Sequence, residues 1–495
     1  MKTSNLKITP GAILVFILFL MTISLLTLRI NLALSYLPEI GGVSINVMYG
    51  IFRIVSGGEL YTNPEVAPYS IIQYMPLHFH IVAFLGKLLG ITKDVHAMMV
   101  LNRLFCLSID VATFILLART LLKTIQVKKV ISLALASIYF LSIPSIIYAR
   151  VDNLYLFFFV ATIAVLLKDI LQNDGKTSTT IPRLLFCGAL CALTIMTKQT
   201  GIFLLVFCSI YYVFIQKSVY QWSIFIAGVI TLLLLIGLLL FPSSLLSLKL
   251  NVVDGVKNGF NANWFIEVLL KNFFLKFSYV LAAGFFIALS LFKERSKQGY
   301  LFLAVGIALF FTTATISSFK AGSGSNYYLE FIVLSIFGSA LLIKNQFGPT
   351  SGVVLYALML SPFFIIAAAN DKGWGDLGMM KQTKKNYLNC IEVADYLRPK
   401  LQTDEWVLTD FHKENTLNLQ LSDKALFPCR EVALYFTRPI GVFHFNEFKT
   451  LVKNGKIPYL VTKKGETLEE FIDVPLTPFE PDTIIGNFQL FKKSN

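Results

Sequence analysis

Charged residues are scarce in this 495-residue chain: they make up 15% of it, against about 25% in a soluble domain. Hydrophobic residues make up 55%. This composition excludes water as the surroundings of most of the chain, because apolar runs of about 18 residues or more are typical of helices inside a bilayer. The runs predict about eleven membrane-spanning helices. We place them at 11–34, 98–122, 130–148, 154–170, 184–197, 201–216, 220–241, 271–291, 300–318, 328–343 and 351–369.

Two common signals are missing from the sequence. No cleavage site of small residues follows the first apolar run, which predicts a retained membrane anchor rather than a signal peptide. The six cysteines include no Cys-x-x-Cys pair with the spacing of metal ligands. Four cysteines lie in apolar runs, where a thiol packs as a small hydrophobe. Cys390 and Cys429 lie outside these runs, and the sequence does not decide whether they form a disulfide.

Segment 71–90 decides the predicted topology, because Gln73, His78 and Lys87 interrupt its apolar residues. If this segment lies in the interface as an amphipathic helix, the loops on one side carry fourteen Lys and Arg residues and those on the other carry five. The positive-inside rule then predicts a cytoplasmic N-terminus and an extracytoplasmic C-terminus in the plasma or inner membrane. The basic residues lie in short loops rather than on one face, which argues against nucleic acid as a partner.

The sequence pattern changes after residue 370. Short runs of β-forming residues alternate there with helical and proline-bearing segments. These runs are Trp406–Thr409, Pro458–Thr462 and Phe488–Phe491. We therefore predict that residues 1–370 form an all-α polytopic membrane bundle, with a long first outer loop at 35–97. Residues 371–495 are predicted to form a small α/β domain outside the membrane.

Three polar turns interrupt the helical part. The first places Arg150 and Asp152 between two apolar helices, and an extended turn would direct both side chains to one face. Lys198 follows a short apolar helix and is a point charge suited to a phosphate. Segment 319–330 combines glycines with Lys320, and glycine-rich backbone can present its N–H groups to an anion. Each turn has a simpler interpretation. Arg150 and Asp152 could be an ordinary loop ion pair, Lys198 a lysine that snorkels to the membrane surface, and segment 319–330 a plain flexible turn.

The first outer loop holds three carboxylates, at Glu39, Glu59 and Glu65. A general base that deprotonates an acceptor hydroxyl must be a carboxylate or an imidazole within hydrogen-bond reach. Each of the three, taken alone, is more simply interpreted as a solvated loop acid. The same loop contains Gly57-Gly58-Glu59-Leu60-Tyr61 and Gln73-Tyr74-Met75-Pro76-Leu77.

Taken in order, these segments resemble the C-type glycosyltransferase (GT-C) superfamily. Its members are membrane enzymes that take a sugar from a polyprenyl-phosphate carrier, such as protein O-mannosyltransferases and the aminoarabinose transferase of lipid A. The likeness covers about residues 11–345 and rests on one helix, a long outer loop and three turns with the patterns Arg-x-Asp, Thr-Lys and Lys-x-Gly-x-x-x-Asn-Tyr. By this resemblance, Asp152 matches the acid of the second outer loop, and Lys198 matches a lysine that faces the carrier phosphate. The late outer-loop motif is matched by Lys320, Asn326 and Tyr327.

The chain departs from the superfamily in one place. Members usually have an aspartate near the start of the first outer loop, where this chain has Gly41-Gly42-Val43-Ser44, and Glu39 is the nearest acid. The resemblance implies an inverting transfer of one sugar to an acceptor hydroxyl. Its catalytic residues are Glu39 as base and Asp152, which orients the acceptor or assists the reaction. The donor phosphate is assigned to Arg150, Lys198 and Lys320. The remaining substrate contacts are assigned to Tyr61, Tyr74, His78, Asn326, Tyr327 and Glu330.

The resemblance also implies the partners. We expect a polyprenyl-phosphate-linked sugar donor, a glycan, lipid or protein acceptor, and the lipid bilayer. Because members with monophosphate donors generally need no metal, we expect no metal and no cofactor. Two other functions stay open. A transporter or flippase of lipid-linked glycans often has repeated halves, and no repeat is visible here. A polysaccharide polymerase or ligase would place arginines and histidines in large outer loops, where only His78 and His80 fit.

Overall fold

The computed structural model describes residues 10–38, 44–142, 149–172, 180–240, 244–266, 270, 275–344, 380–409, 416–476 and 479–494. Up to Lys344 the described residues are mostly helical. The helices are α1 Pro10–Leu34, α2 Ser44–Val55, α3 Leu77–Leu88, α4 Val95–Thr120, α5 Lys129–Ser142, α6 Asp152–Gln172, α7 Ile181–Thr197, α8 Ile202–Ile210, α9 Val219–Leu240, α10 Leu245–Leu248, α11 Ala262–Trp264, α12 Leu275–Lys293, α13 Gln298–Ser317 and α14 Leu329–Lys344. Three of them, α4, α8 and α10, continue as π-helical turns.

Six helices among the described residues are long and apolar enough to cross a membrane. They span Val15–Leu34, Val95–Ile125, Asp152–Gln172, Val219–Leu240, Gln298–Ser317 and Asn326–Lys344. The prediction of a multi-pass helical membrane protein is confirmed in this form, and the number of about eleven spanning helices stays a prediction. The helix predicted at 351–369 lies outside the described residues.

The segment predicted as the first outer loop contains two short helices, α2 and α3. They pack closely at Gly50, where a Cβ atom would lie 2.7 Å from the Phe79 ring. The 12 residues of α3 make it about 18 Å long, which is less than the roughly 30 Å of a bilayer core. This length favours the non-spanning interpretation of segment 71–90. Hydropathy misses α2, since 12 residues are too few for a spanning run.

The described C-terminal part begins at Met380 and contains a five-stranded mixed sheet. Its helices are α15 Met380–Leu397, α16 Thr416–Gln420 and α17 Glu447–Lys453. Its strands are β1 Val407–Thr409, β2 Ala425–Leu426, β3 Tyr459–Lys463, β4 Glu470–Phe471, β5 Val474–Pro475, β6 Phe479–Ile485 and β7 Phe488–Lys493. The sheet order is β2-β1-β3-β7-β6. β1 is parallel to β2 and β3, whereas β7 is antiparallel to β3 and β6. Cys390 and Cys429 are both free, buried thiols.

Part of the segment predicted as the first outer loop packs into the C-terminal part. Tyr69 is fully buried there, and its ring stacks on Phe427 with 4.7 Å between the centroids. The Glu65 carboxylate accepts the backbone N–H groups of His444 and Phe445, at 2.8 and 2.6 Å. Glu65 is half-buried and is more than a solvated loop acid, because both of its oxygens bind backbone donors that are distant in the sequence.

We expect Glu65→Gln to destabilise the attachment of the C-terminal part. One carboxylate oxygen becomes an amide NH₂, which cannot accept a hydrogen bond from a backbone N–H. Loss of a hydrogen bond to a charged group costs about 1–3 kcal/mol, so the thermal unfolding midpoint of the purified protein in detergent should fall. Glu59→Gln is the matched control, because Glu59 is exposed. Equal midpoints for the two variants would show that the Glu65 carboxylate does not stabilise this attachment.

A buried ion pair links α1, α4 and α6. Arg29 Nη1 lies 3.6 Å from Asp110 Oδ2, and both side chains are buried. Asn153 Nδ2 donates to Asp110 Oδ1 at 2.8 Å. Arg29 Nη2 donates to Phe140 O at 3.2 Å, which adds α5 to the network. Since Asn153 directly follows Asp152, this network fixes the first turn of α6, where the candidate site begins.

Candidate functional site

A cavity of about 500 Å³ lies where the polar turns of the helical part meet the C-terminal part. Its lining residues come from 73–74, 150, 198–203, 256–264, 317–327 and 431–436. The volume falls within the roughly 300–1,000 Å³ of small-molecule sites. All three polar turns that the sequence analysis singled out contribute to this one concave surface.

Asp152 is the centre of the polar cluster beside the cavity. It is buried at the start of α6, where the helix dipole favours a carboxylate. Its Oδ1 accepts hydrogen bonds from Lys198 Nζ at 2.7 Å and from Asn326 Nδ2 at 3.0 Å. Its Oδ2 lies 3.7 Å from Arg150 Nε, and Arg150 Nη2 donates to the Tyr74 hydroxyl at 3.4 Å. The structure thus brings together residues from four separate segments of the chain.

The turn that carries Arg150 is held by α4. Asn102 Nδ2 donates to Ala149 O at 3.3 Å, and the Cys106 thiol donates to Arg150 O at 3.4 Å. His78 supports Asn102 from α3, with 2.9 Å between its Nε2 and Asn102 Oδ1. These contacts fix the backbone of the turn, so that the Arg150 side chain reaches the cavity from a rigid base.

Lys198 is buried at the end of α7 and is surrounded by groups that favour its charge. Burial alone would lower its pKa, but the Asp152 carboxylate, with smaller contributions from Tyr327 and Glu330, holds the pKa of Lys198 above its usual value. Its Nζ also lies 5.2 Å from the centroid of the Tyr327 ring, which is within cation–π distance. Lys198 is therefore a fixed cation at the cavity wall.

Lys320 lines the same cavity and has a different electrostatic state. Burial, and then the neighbouring Lys198 cation, lower the pKa of Lys320 to about 8. The loop that carries it pairs with the loop before α11: Phe260 and Lys320 form an antiparallel bridge, and Asn261 N donates to Phe319 O at 2.9 Å. Lys320 is a cation at neutral pH whose proton is lost more easily than that of an ordinary lysine.

Three of the predicted substrate-binding residues lie behind the cavity wall. The Tyr61 hydroxyl is buried and donates to Tyr74 O at 2.7 Å. His78 is fully buried against Asn102, and Glu330 is buried in the first turn of α14. The sequence places all of these residues beside polar turns. It therefore cannot distinguish residues that support the cavity wall from residues that line the cavity. The predicted residues that do line it are Tyr74, Arg150, Lys198, Lys320, Asn326 and Tyr327.

Glu39, the predicted base, lies outside the described residues. The segment that leads to it is well anchored. The Arg103 guanidinium, buried in α4, donates to Ser35 O at 2.8 Å and also to Leu37 O. Arg103 therefore sets the direction in which the chain leaves α1 towards residue 39.

Several lining residues were missed at the sequence level. They are Gln73, Gln199, Asn258, Trp264, Glu431 and Phe436. Gln73 and Gln199 stand directly beside the predicted residues Tyr74 and Lys198, whereas no local pattern marks the other four positions. Glu431 and Phe436 belong to the C-terminal part, whose contact with the cavity depends on the tertiary fold. Among the described residues, no group of three or more His, Cys, Asp or Glu could hold a metal ion.

Solved structures share this architecture. ArnT from Cupriavidus metallidurans in the apo state has a TM-score of 0.57 and 12% identity, over 96% of this chain and 97% of that one. The same protein bound to undecaprenyl phosphate has a TM-score of 0.55 and 10% identity, with the same coverage. The chain has the fold of ArnT. The resemblance inferred from the polar turns is thus confirmed at the level of the fold.

A second solved protein extends the comparison. The arabinofuranosyltransferase AftD from Mycobacteria matches 95% of this chain with a TM-score of 0.52 and 12% identity, and the match spans 40% of the AftD chain. The sequence matches no protein-family model and no curated protein. The likeness therefore lies in the arrangement of helices and not in sequence.

Proposed function

We propose that this protein is a membrane glycosyltransferase that moves a sugar from a polyprenyl-phosphate carrier to an acceptor hydroxyl. The observation that carries the proposal is the cluster of three cations, Arg150, Lys198 and Lys320, around one cavity of a GT-C fold. Among the described residues, Asp152 pairs with Lys198, Glu431 also lines the cavity, and Glu330 is buried behind its wall. The cationic side chains of Arg150 and Lys320 line the cavity and suit a phosphate group. The ArnT structure with undecaprenyl phosphate supports a carrier of this kind.

The proposed reaction is an inverting displacement. The acceptor oxygen forms a bond to the anomeric carbon while the bond from that carbon to the phosphate oxygen breaks. The electron pair of the broken bond passes to the leaving polyprenyl phosphate, and the proton of the acceptor passes to the base, which we assign to Glu39. Arg150, Lys198 and Lys320 stabilise the charge that develops on the phosphate.

Asp152 is assigned a positioning role in this scheme. Its Oδ1 already accepts hydrogen bonds from Lys198 and Asn326, and its Oδ2 lies beside Arg150. A carboxylate surrounded by cationic and amide donors is a weak base. Asp152 instead holds Lys198 and Asn326 in place, so that Lys198 meets the phosphate without having to reorganise.

We place the cavity at the extracytoplasmic face of the plasma or inner membrane, with the N-terminus in the cytoplasm.

The direct test is transfer from radiolabelled polyprenyl-phosphate sugars, together with binding of undecaprenyl phosphate to the purified protein. We expect binding, and transfer with at least one pentose or hexose donor. If undecaprenyl phosphate does not bind and no donor supports transfer, the proposal fails.

The binding of undecaprenyl phosphate should depend on pH through Lys320. With a pKa of about 8, Lys320 is charged at pH 7 and mostly neutral at pH 9. A bound phosphate favours the cation, so binding above pH 8 takes up a proton, and affinity should fall about tenfold between roughly pH 7 and pH 9. Lys320→Arg is the matched control, because arginine stays charged over this range. A flat wild-type profile, or the same fall in Lys320→Arg, would refute this role.

A further inference from the structure

A second cavity, of about 520 Å³, lies in the C-terminal part. Its lining residues are Leu434, Arg438, Pro439, His444, Asn446 and Asp473. Segment 431–440 is helical and contributes to both cavities. Glu431 and Phe436 line the cavity described above, whereas Leu434 and Arg438 line the second one. The two cavities are therefore neighbours, and the function proposed above uses none of the residues of the second.

Alternating burial directs two polar side chains to the second cavity. Phe443 and Phe445 are buried in the core of the C-terminal part. The residues that follow each of them, His444 and Asn446, are exposed and line the cavity. The backbone is held here, because the Glu65 carboxylate accepts the N–H groups of His444 and Phe445. His444 and Asn446 thus stand on a fixed stretch of chain.

Asn446 is not engaged by the helix that it precedes. It occupies the N-cap position of α17, where an asparagine side chain usually accepts a hydrogen bond from a backbone N–H of the first turn. Asn446 makes no such bond, and its φ of −61° and ψ of −30° are helical rather than extended. Its amide is therefore left at the cavity, where it offers a carbonyl oxygen as acceptor and an NH₂ group as donor.

Asp473 reaches the cavity from a strained turn. Ile472 and Asp473 connect β4 to β5, with φ of 52° and 58°. Such two-residue turns favour Asn-Gly, because both residues need a positive φ, and strain of this kind costs on the order of 1–3 kcal/mol per residue. Packing of Ile472 against the core of the C-terminal part offsets the cost. The turn thereby presents Asp473 to Arg438, whose Nη2 donates to the carboxylate. Strain that is retained in this way is typical of functional sites.

The lining favours an uncharged ligand with hydroxyl groups. The Arg438 cation is paired with Asp473, and a phosphate that approached Arg438 would meet this carboxylate. The Asp473 side chain is 82% exposed, and an exposed ion pair contributes less than about 1 kcal/mol, so both partners can bind a ligand. Hydroxyls donate to the carboxylate and accept from the guanidinium and from the Asn446 amide. Leu434 and Pro439 add apolar surface for the C–H groups of a sugar ring.

We propose that the second cavity binds a segment of a neutral glycan, and that this glycan is the acceptor of the sugar transfer. The assignment to the acceptor rests on the proposed function. Of the glycan, lipid and protein acceptors that the sequence leaves open, a glycan is the one whose repeated hydroxyls fit this lining. Because segment 431–440 borders both cavities, one part of an extended glycan occupies the second cavity and another part presents the reactive hydroxyl to the first.

The test is binding of a panel of neutral oligosaccharides of glucose, galactose, mannose, rhamnose and arabinose to the full-length protein in detergent, measured by calorimetry. We expect at least one of them to bind. Asn446→Ala and His444→Ala should each weaken that binding roughly five- to tenfold. His444→Ala keeps the bonds to Glu65, because these use backbone N–H groups. Lys449→Ala, at an exposed position of α17, is the matched control and should bind like the wild type. Because the ligand is uncharged, affinity should be unchanged between about 0.1 and 0.5 M NaCl.

Binding of undecaprenyl phosphate is measured in the same variants and should stay within about twofold of the wild type, which shows that each variant is folded. If the wild type binds undecaprenyl phosphate but no oligosaccharide, or if both variants keep full oligosaccharide binding, the glycan site is overturned and the proposed function stands. Oligosaccharide binding that is lost at high salt also overturns it, since the ligand would then be held by charge. If the wild type binds an oligosaccharide but not undecaprenyl phosphate, the proposed function falls and with it the assignment to the acceptor.

Transfer kinetics test the link between the two cavities. The oligosaccharide that binds should accept a radiolabelled sugar with a Michaelis constant at least about tenfold below that of the corresponding monosaccharide, because only the oligosaccharide reaches the second cavity. Asn446→Ala should raise the Michaelis constant of the oligosaccharide towards that of the monosaccharide. Equal constants for the two acceptors in the wild type would overturn the assignment of this glycan to the acceptor.

Discussion

Asp152→Asn and Lys198→Ala should each lower the rate of sugar transfer by about two orders of magnitude or more, as losses of groups that stabilise a developing anion do. Asp152→Asn keeps the shape of the side chain and removes the charge that holds Lys198 Nζ at 2.7 Å. Lys198→Ala removes the cation itself. The assay is transfer from a radiolabelled polyprenyl-phosphate sugar in membranes that contain each variant at matched levels.

The double variant gives a sharper test of the same pair. If Asp152 acts through Lys198, the double variant should be about as slow as the slower single variant, because residues that act as a unit are not additive. Glu59→Gln should retain the wild-type rate and serves as the control. Full activity in both single variants would exclude this site. Undetectable transfer with every donor would favour a transporter of lipid-linked glycans instead.

Asp110→Ala should lower the free energy of unfolding by about 3–5 kcal/mol, the range measured when one partner of a buried ion pair is removed. The substitution leaves the Arg29 guanidinium in a buried site without the carboxylate that lies 3.6 Å away. It also removes the acceptor of Asn153 Nδ2, so the first turn of α6 should loosen. Thermal unfolding of the purified protein in detergent measures the loss.

Replacing both charged residues by apolar ones distinguishes the effect of an unpaired buried charge from the effect of lost packing. In Arg29→Met combined with Asp110→Leu, both charges are removed together, and such replacements are often neutral or stabilising. The double variant should therefore unfold at a higher temperature than Asp110→Ala. If Asp110→Ala is as stable as the wild type, the pair does not hold the helices together.

Hydropathy predicts the helices and the polar turns, because a charge next to an apolar run is conspicuous. Arg150, Asp152 and Lys198 each stand at the end of such a run, and the structure brings them to one cluster. The same signal places Lys320 and Asn326 near the cavity. These positions were predictable because a membrane forces polar groups to the helix ends or to a shared polar site.

The sequence patterns could not predict contacts between segments that are distant in the sequence. Arg29 and Asp110 are charged residues inside long apolar runs, and hydropathy averages them away. Glu65 looked like a solvated acid because its partners, His444 and Phe445, come from the end of the chain. Phe436 has no pattern that relates it to the cavity. Each of these contacts depends on how the C-terminal part and the helices pack, which local periodicity does not encode.

The position of Phe436 in the lining of the cavity has a consequence for biosynthesis. Domains generally form in order from the N-terminus as the chain is synthesised, so the cations of the cavity are in the membrane before Phe436 has been made. An unfinished chain therefore has the cationic residues of the cavity without Phe436. The cavity takes its final shape only when the ribosome has passed residue 436 and this segment has packed against Gly322. Completion of the site is thus one of the last steps in the maturation of the protein.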